Sequence, residues 1–375
     1  MTDVAIIGGG PVGLLTGLLL LQRGRSVRIF ERRTARSRLS RAIGIHPPAL
    51  KVLDRAGIAP PLLGEGIRIA KGVAYSRGHR VAELAFDGDP SFPFVLAVPQ
   101  PVTEEALERA VLALDPSAIV RGVVVDDVED DGTVTLAGNS ASGRTSCTAR
   151  LVVAADGAHS LLRERLVPGL CPRHYPDSYL MGDFEDTTTH PKDAVLYLEP
   201  GGIVESFPLP GGVRRWVVRL GSPALSPTAA GLAALVRART GQKPHASTNT
   251  MLSAFEVQSR LAKRMVHGRV ILLGDAAHEI SPIGGQGMNL GWLDAAALVP
   301  IIDASLAGDH VGRQLQEFER SRRRAAAKAS NQAGLNMALG RPLPPTAMTF
   351  RNALFGCLLQ SRVVSDLVER RFTMR

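Results

Sequence analysis

Asp3-Val4-Ala5-Ile6-Ile7-Gly8-Gly9-Gly10-Pro11-Val12-Gly13 stands almost at the start of the chain, and its reading decides the fold. Asp3 to Ile7 is an apolar run of strand length. Gly8-x-Gly10-x-x-Gly13 follows and leads into an apolar helical stretch as far as Arg23, ended by Gly24, the usual residue just past a helix C-terminus. Ser26 to Glu31 reads as the next strand. Strand, glycine loop, helix and strand within about thirty residues is the size of a nucleotide-binding βαβ crossover. The glycines permit a tight turn and let the backbone approach a pyrophosphate, which then rests on the helix N-terminus. Glu31 ends the second strand, where a carboxylate would bind ribose hydroxyls.

Two further motifs lie downstream. Ala155-Asp156-Gly157-Ala158-His159-Ser160 follows an apolar strand, Leu151 to Ala155. An acid at the C-terminal end of a strand lies in the usual ligand crevice of an α/β sheet; the plainer alternative is that Asp156 or Ser160 caps a helix. The third motif runs from Gly268 through Val270-Ile271-Leu272-Leu273-Gly274-Asp275 to Pro282-Ile283-Gly284-Gly285-Gln286-Gly287-Met288-Asn289. Its glycine segment offers several N–H donors at a helix start, a preorganised anion site.

Between the motifs the pattern changes. Val73 to Tyr75 and Arg80 to Phe86 read as strands, Thr103 to Leu114 as a helix with Thr103 as N-cap, and Val123 to Val128 and Thr133 to Leu136 as a meander. From Pro172 to about Ser259 the chain is β-rich. Tyr179 to Phe184, Ala194 to Leu198, Ile203 to Pro208 and Trp216 to Leu220 are separated by Pro-Gly turns, and Ala229 to Arg239 reads as a helix. The aromatics of this region read as core, and Arg215 and Arg219 as exposed strand charges or, alternatively, as ligands of an acidic substrate. After Asn289 the chain is helical to its end, broken at Pro342-Leu343-Pro344-Pro345.

The 375 residues are 45% hydrophobic and 21% charged, enough to bury a large core and too apolar for a disordered chain. No run of eighteen apolar residues is present, and the N-terminus lacks a basic leader, so the expected location is the cytoplasm. Three separated cysteines give no disulfide framework. His278-Glu279 begins like a zinc-protease motif, but Pro282 stands where the second histidine is needed, so no metal site is expected. Charge is concentrated twice. Arg23 to Arg41 holds eight arginines against Glu31 alone, and the chain after Ile301 holds twelve bases against six acids. No aromatic interleaving or nucleic-acid motif accompanies them, so Arg320, Arg322, Arg323 and Arg324 read as a solvated helix face, with contact to a membrane surface the lesser alternative.

The three motifs, in this order and spacing, resemble the single-component FAD-dependent aromatic hydroxylases, the p-hydroxybenzoate hydroxylase type that includes the ubiquinone-pathway hydroxylases. The resemblance covers roughly residues 2–172 and 262–325. It implies an α/β fold: a Rossmann-like FAD-binding domain made of residues 1–74, 100–172 and 262–325, an inserted mainly antiparallel β-sheet substrate domain of residues 75–99 and 173–261, and C-terminal helices from 326 to 375.

The resemblance also implies roles. Gly8, Gly10, Pro11, Val12 and Gly13 would hold the FAD pyrophosphate, with Glu31 and Arg32 at the adenosine side; Arg41 and Gln100 would lie along the cofactor. Asp156 and Gly157 would serve both FAD and the nicotinamide cofactor. Asp275 would bond the ribityl chain, Pro282 would flank the flavin ring, and the amides from Gly285 through Gly287 and Met288 to Asn289 would face its N1–C2=O edge. His46 and Pro282 are the nearest candidates for a catalytic role, and no base is identified; His278 reads as a packing residue of its turn. The implied reaction is reduction of FAD by NAD(P)H, addition of O2 at the flavin C4a position, and hydroxylation of a phenolic or polyketide-like ring. NADPH is expected as donor, because Arg33, Arg36 and their neighbours Arg32 and Arg38 could fork its 2′-phosphate. The rivals are a flavin reductase of a polyprenyl-type double bond and a non-catalytic binding protein on the same fold. A flavin halogenase is a weaker rival, because no Trp-x-Trp-x-Ile-Pro segment exists.

Overall fold

The computed structural model describes residues 1–37, 42–224 and 226–375, with the side chains of 358–360 left aside. Its first sheet is built on five parallel strands in the order Val270–Leu272, Gly143–Ala154, Thr2–Ile7, Val27–Glu31 and Ile119–Arg121. Val4 to Ile7 are buried throughout, as strands covered on both faces must be. The helix Pro11–Leu21 crosses from the first strand to the next and packs against the helices Gln100–Leu114 and Gly287–Leu306. Enclosure on several sides explains why it is apolar all round rather than amphipathic. The meander Val124–Asp130 and Val134–Ser140 joins the same sheet through the long strand Gly143–Ala154.

The second sheet has eight strands in the order His278–Glu279, Met251–Leu261, Arg173–Glu185, Val213–Leu220, Val204–Leu209, Ala194–Tyr197, Lys71–Ser76 and His79–Ala85. All its pairs are antiparallel except Ala194–Tyr197 with Lys71–Ser76. Its two faces alternate along each strand. Leu180, Phe184, Val204, Trp216 and Val218 pack on the helix Ala229–Thr240 through Leu232 and Val236. Tyr179, Met181, Val217 and Val257 face the other way, against Ile283 of the third motif and Met337 of the helix Gly312–Leu339.

Several sequence expectations need correction. A division between 74 and 75 would cut the strand Lys71–Ser76, whose whole length belongs to the second sheet. The helix expected from Thr103 begins at Gln100, with Pro99 as its N-cap, and Thr103 is buried inside it. The eleven-residue strand Met251–Leu261 was not singled out, nor were the short helices Pro47–Arg55 and Ala59–Glu65. The C-terminal helices Pro345–Gln360 and Arg362–Phe372 do not stand apart: Phe372 stacks on Phe86 and meets His46 edge-on.

Candidate functional site

All three motifs leave the C-terminal ends of adjacent parallel strands. The Gly8 loop follows Thr2–Ile7, Asp156 follows Gly143–Ala154, and Asp275 follows Val270–Leu272. The central strand is flanked on both sides, so its loop opens at the point where strand order reverses, where α/β sheets bind ligands.

The glycine loop is fixed by close backbone approaches. Gly8 has φ +105°, and a Cβ there would lie 2.2 Å from the Ala155 carbonyl oxygen. Gly10 differs: a Cβ there would meet nothing within 4 Å, so this is the open side on which a pyrophosphate can lie. Glu31 is buried, and its carboxylate accepts N–H bonds from Gly9 (2.8 Å) and Arg33 (2.9 Å). It therefore braces the loop directly, a role the sequence did not suggest.

The motifs are bonded to one another. Val12 fills a notch left by Gly274 and Gly291, where a Cβ would fall 3.2 Å and 2.5 Å from its methyl carbons. Trp292 Nε1 donates to the Pro11 carbonyl at 3.0 Å. Arg163, also buried, donates to the carbonyls of Ala158 (2.6 Å) and Asp275 (3.1 Å), tying the second motif to the third. Capping is real as well: Ser160 accepts from the Arg163 N–H, and Asp156 Oδ2 from the Leu161 N–H at 3.1 Å. Asp156 keeps its other oxygen buried with no hydrogen-bond partner among the described residues, and burial pushes its carboxyl above the usual range.

Asp275 is exposed on one side, yet protein encloses it on the others. That enclosure raises its carboxyl, against the favourable charges of His278 and Arg163. Its Oδ1 would lie 3.7 Å from a Cβ at Gly287, so the acid sits beside the start of the helix Gly287–Leu306. The first intrahelical bond there is Leu290 N–H to Gln286, which leaves the earlier amides of Gly287, Met288 and Asn289 for an anion or a polarised carbonyl. Gly285 does not join them, because its amide donates to Pro282 in a turn. The Asn289 side chain is also spent: it accepts from the His46 amide at 2.8 Å and donates to the Gly44 and Gly285 carbonyls. Gln286 donates to the carbonyls of Arg371 and Phe372, so the end of the chain closes over this loop.

His46 lies against this segment, with Nε2 3.8 Å from a Cβ placed on Gly285. Burial drives its pKa down to about 4, offset in part by the Gly284 backbone, so it is neutral at working pH. His278 is buried and pairs with Asp294, which Arg322 also holds at 2.5 Å. Arg322 is thus turned inward, whereas Arg320, Arg323 and Arg324 are exposed. Gln100 bonds Glu104 at 2.7 Å and accepts from the Ala42 amide at 3.4 Å. Arg38 and Arg41 lie outside the described residues. Arg33 stands 3.5 Å from Glu31, and Arg36 pairs with Glu105 (3.2 Å) and Glu108 (3.8 Å), acids that the local sequence did not bring into view. In the second sheet Arg215 and Arg219 are buried, not exposed, and pair with Asp183 and Asp177.

A glycine cradle with one open side, a brace at Glu31 and two acids on neighbouring strand ends together define a dinucleotide-binding protein. The chain belongs to the FAD binding domain family, whose model matches residues 1–333, including the β-rich middle. It is 34% identical over 310 residues to the rifampicin monooxygenase of Streptomyces venezuelae, which covers 79% of this chain and 62% of that protein. The chain therefore spans less than two thirds of that relative's length. The fold matches p-nitrophenol 4-monooxygenase from Pseudomonas putida with a TM-score of 0.90 and 25% identity, over 100% of this chain and 98% of the other. It matches the anhydrotetracycline hydroxylase from Streptomyces rimosus with a TM-score of 0.81 and 28% identity, over 100% and 76%.

The residues present fit FAD: Gly8 to Gly13 for the pyrophosphate, Asp275 for a hydroxyl of the ribityl chain, and the Gly287 to Asn289 amides for the ring's carbonyl edge. Asp275→Ala is expected to weaken FAD binding by about ten- to a hundredfold, the worth of one hydrogen bond to a charged group (~1.5–3 kcal/mol), while the fold persists. Titration of the apoprotein with FAD measures this, and an unchanged affinity would remove Asp275 from the cofactor.

Proposed function

We propose that the chain is an FAD-dependent monooxygenase that hydroxylates a phenolic or polyketide-like aromatic ring with NAD(P)H and O2. One observation carries this reading. Ile283, next to Pro282 in the cofactor loop, packs in the same cluster as Tyr179, Phe207 and Phe255 of the second sheet. The loop that would flank the flavin is therefore continuous with an apolar, aromatic wall, where a flat ring would lie beside the cofactor. The names of the relatives, oxidising rifampicin, p-nitrophenol and anhydrotetracycline, support the same chemistry.

Bound FAD would accept a hydride and activate oxygen. The chain's own part is to hold, orient and keep dry. The Gly287 to Asn289 amides would stabilise negative charge on the ring edge, and the wall would exclude water. His46, being neutral, shapes the loop rather than carrying charge into it.

The donor reading is NADPH, with a smaller preference than the arginine count alone suggests. Arg36 is offset by Glu105 and Glu108 and Arg33 in part by Glu31, which leaves Arg32 the least committed of the described arginines for the 2′-phosphate. The purified protein should carry FAD, and a screen of phenols should find one that stimulates NADPH oxidation with formation of a hydroxylated product. The expected kcat/KM for NADPH exceeds that for NADH about tenfold, and Arg32→Ala with Arg33→Ala removes the difference. Equal use of both donors by the wild type would overturn the donor assignment. Ring products absent across the screen would overturn the activity.

A further inference from the structure

The wall of the second sheet that faces Ile283 is built of cross-strand rows. Leu196, Glu205, Val217 and Met181 stand side by side in one row. Phe207, Arg215 and Asp183 form the row on one side, and Arg219, Tyr179 and Phe255 the row on the other. Residues two apart along a strand share a face, so all three rows line one wall.

The charges on this wall are satisfied, with one exception. Arg215 donates to both oxygens of Asp183, at 2.7 and 2.8 Å. Asp177 is held by Arg219 at 2.8 Å and by Arg341 at 2.6 Å. Glu205 is only 8% exposed and makes no hydrogen bond or ion pair among the described residues. Its row neighbours are all apolar. Burial pushes its carboxyl up to about 7. A buried carboxylate left alone is costly, and such a group marks a place where a ligand supplies the missing partner. The Tyr179 hydroxyl, one row away, is buried with no hydrogen-bond partner among the described residues.

We propose that Glu205 determines substrate specificity by accepting a hydrogen bond from a phenolic hydroxyl on the ring, and that its charge turns away aromatic carboxylates. This rests on the monooxygenase reading for the place of the ring. It reverses the acidic-substrate alternative raised for Arg215 and Arg219, whose charges are already matched by Asp183 and Asp177.

The test uses the FAD-loaded enzyme with 2-naphthol, 2-methoxynaphthalene and 2-naphthoate, which share one ring system. Binding is followed by perturbation of the flavin absorbance, and turnover by product analysis. Wild type should bind 2-naphthol at least tenfold more tightly than either analogue. Glu205→Leu should bring 2-naphthol and 2-methoxynaphthalene to within about threefold. Glu205→Gln should narrow the gap between 2-naphthol and 2-naphthoate by about tenfold. Both variants should melt at or above the wild-type temperature at pH 8, since an unpaired buried charge has been removed. A lowered melting temperature, a naphthol preference retained in Glu205→Leu, tightest binding of 2-naphthoate by wild type, or no spectral response to any of the three would overturn the proposal. Failure of the monooxygenase reading looks different: NAD(P)H is consumed without a hydroxylated ring, whatever the binding order.

Discussion

Gly13→Ala should yield a colourless protein with FAD affinity reduced more than a hundredfold. A Cβ on Gly13 would lie 2.0 Å from the Gly8 carbonyl oxygen and 3.3 Å from Ile6 Cγ2. The obstacle is backbone, and that backbone has no freedom to withdraw. Gly8 donates its N–H to Phe30 at 2.8 Å and stands at φ +105°, against Ala155 on its other side. Relief must come from opening the loop, which destroys the cradle. A hundredfold loss corresponds to ~2.7 kcal/mol. Gly10→Ala is the informative contrast. It meets no protein atom, so it should fold with an unchanged melting temperature and still bind FAD poorly, because the methyl group enters the cofactor's space. A Gly10→Ala protein that kept its FAD would move the pyrophosphate away from this loop.

Asp294→Ala should cost ~3–5 kcal/mol of stability, the price of breaking a buried ion pair by removing one partner. That is a large share of the roughly 5–15 kcal/mol that holds a folded domain together. Asp294 is fully buried between His278 and Arg322, and its loss leaves both cations unmatched. The same pair gives a pH dependence. Burial would lower the His278 pKa, but the charge and hydrogen bond of Asp294 outweigh it and, with Asp275, raise it above the ordinary 6.5. A histidine raised in the folded state contributes its full stabilisation below the unfolded pKa and loses it as pH rises through the folded one. Wild-type stability should therefore fall on the alkaline side of 6.5, and Asp294→Asn should flatten that limb. Denaturant unfolding between pH 6 and 9 measures both effects, and parallel curves for the two proteins would show that the pair does not titrate in this range.

The parallel half of the fold was legible because buried parallel strands read as apolar runs. Val4 to Ile7 end in a loop whose glycines carry their own signal, and Val152 to Ala154 and Val270 to Leu272 in loops marked by Asp156 and Asp275. The antiparallel half was harder. Met251–Leu261 sets Ser253, Phe255, Val257 and Ser259 on one face and Leu252, Ala254, Glu256 and Gln258 on the other, so neither face is continuously apolar. Thr103 resembled an N-cap, but Pro101 two residues earlier favours the first turn of a helix and moved the start to Gln100. The buried arginines were misread because each was considered alone. Asp177, Asp183 and Asp186 run in mirror order to Arg219, Arg215 and Arg214, the signature of two antiparallel strands exchanging ion pairs. Glu205 gave no such signal, because what distinguishes it is the lack of a partner among the described residues, and that exists only in three dimensions.

The order of the parallel strands governs how the chain must be made. Thr2–Ile7 is synthesised first, yet its flanking partner is Gly143–Ala154, and that strand in turn pairs with Val270–Leu272. Contacts so distant in sequence are slow to form, since the intervening chain must first be closed into a loop. During synthesis the first βαβ unit therefore waits with one apolar edge uncovered until residue 154 has left the ribosome, and Gly143–Ala154 waits in turn for residue 272. Trp292 and Gly291, which lock onto Pro11 and Val12, arrive later still, so the nucleotide cradle takes its final shape only after residue 292 has been made.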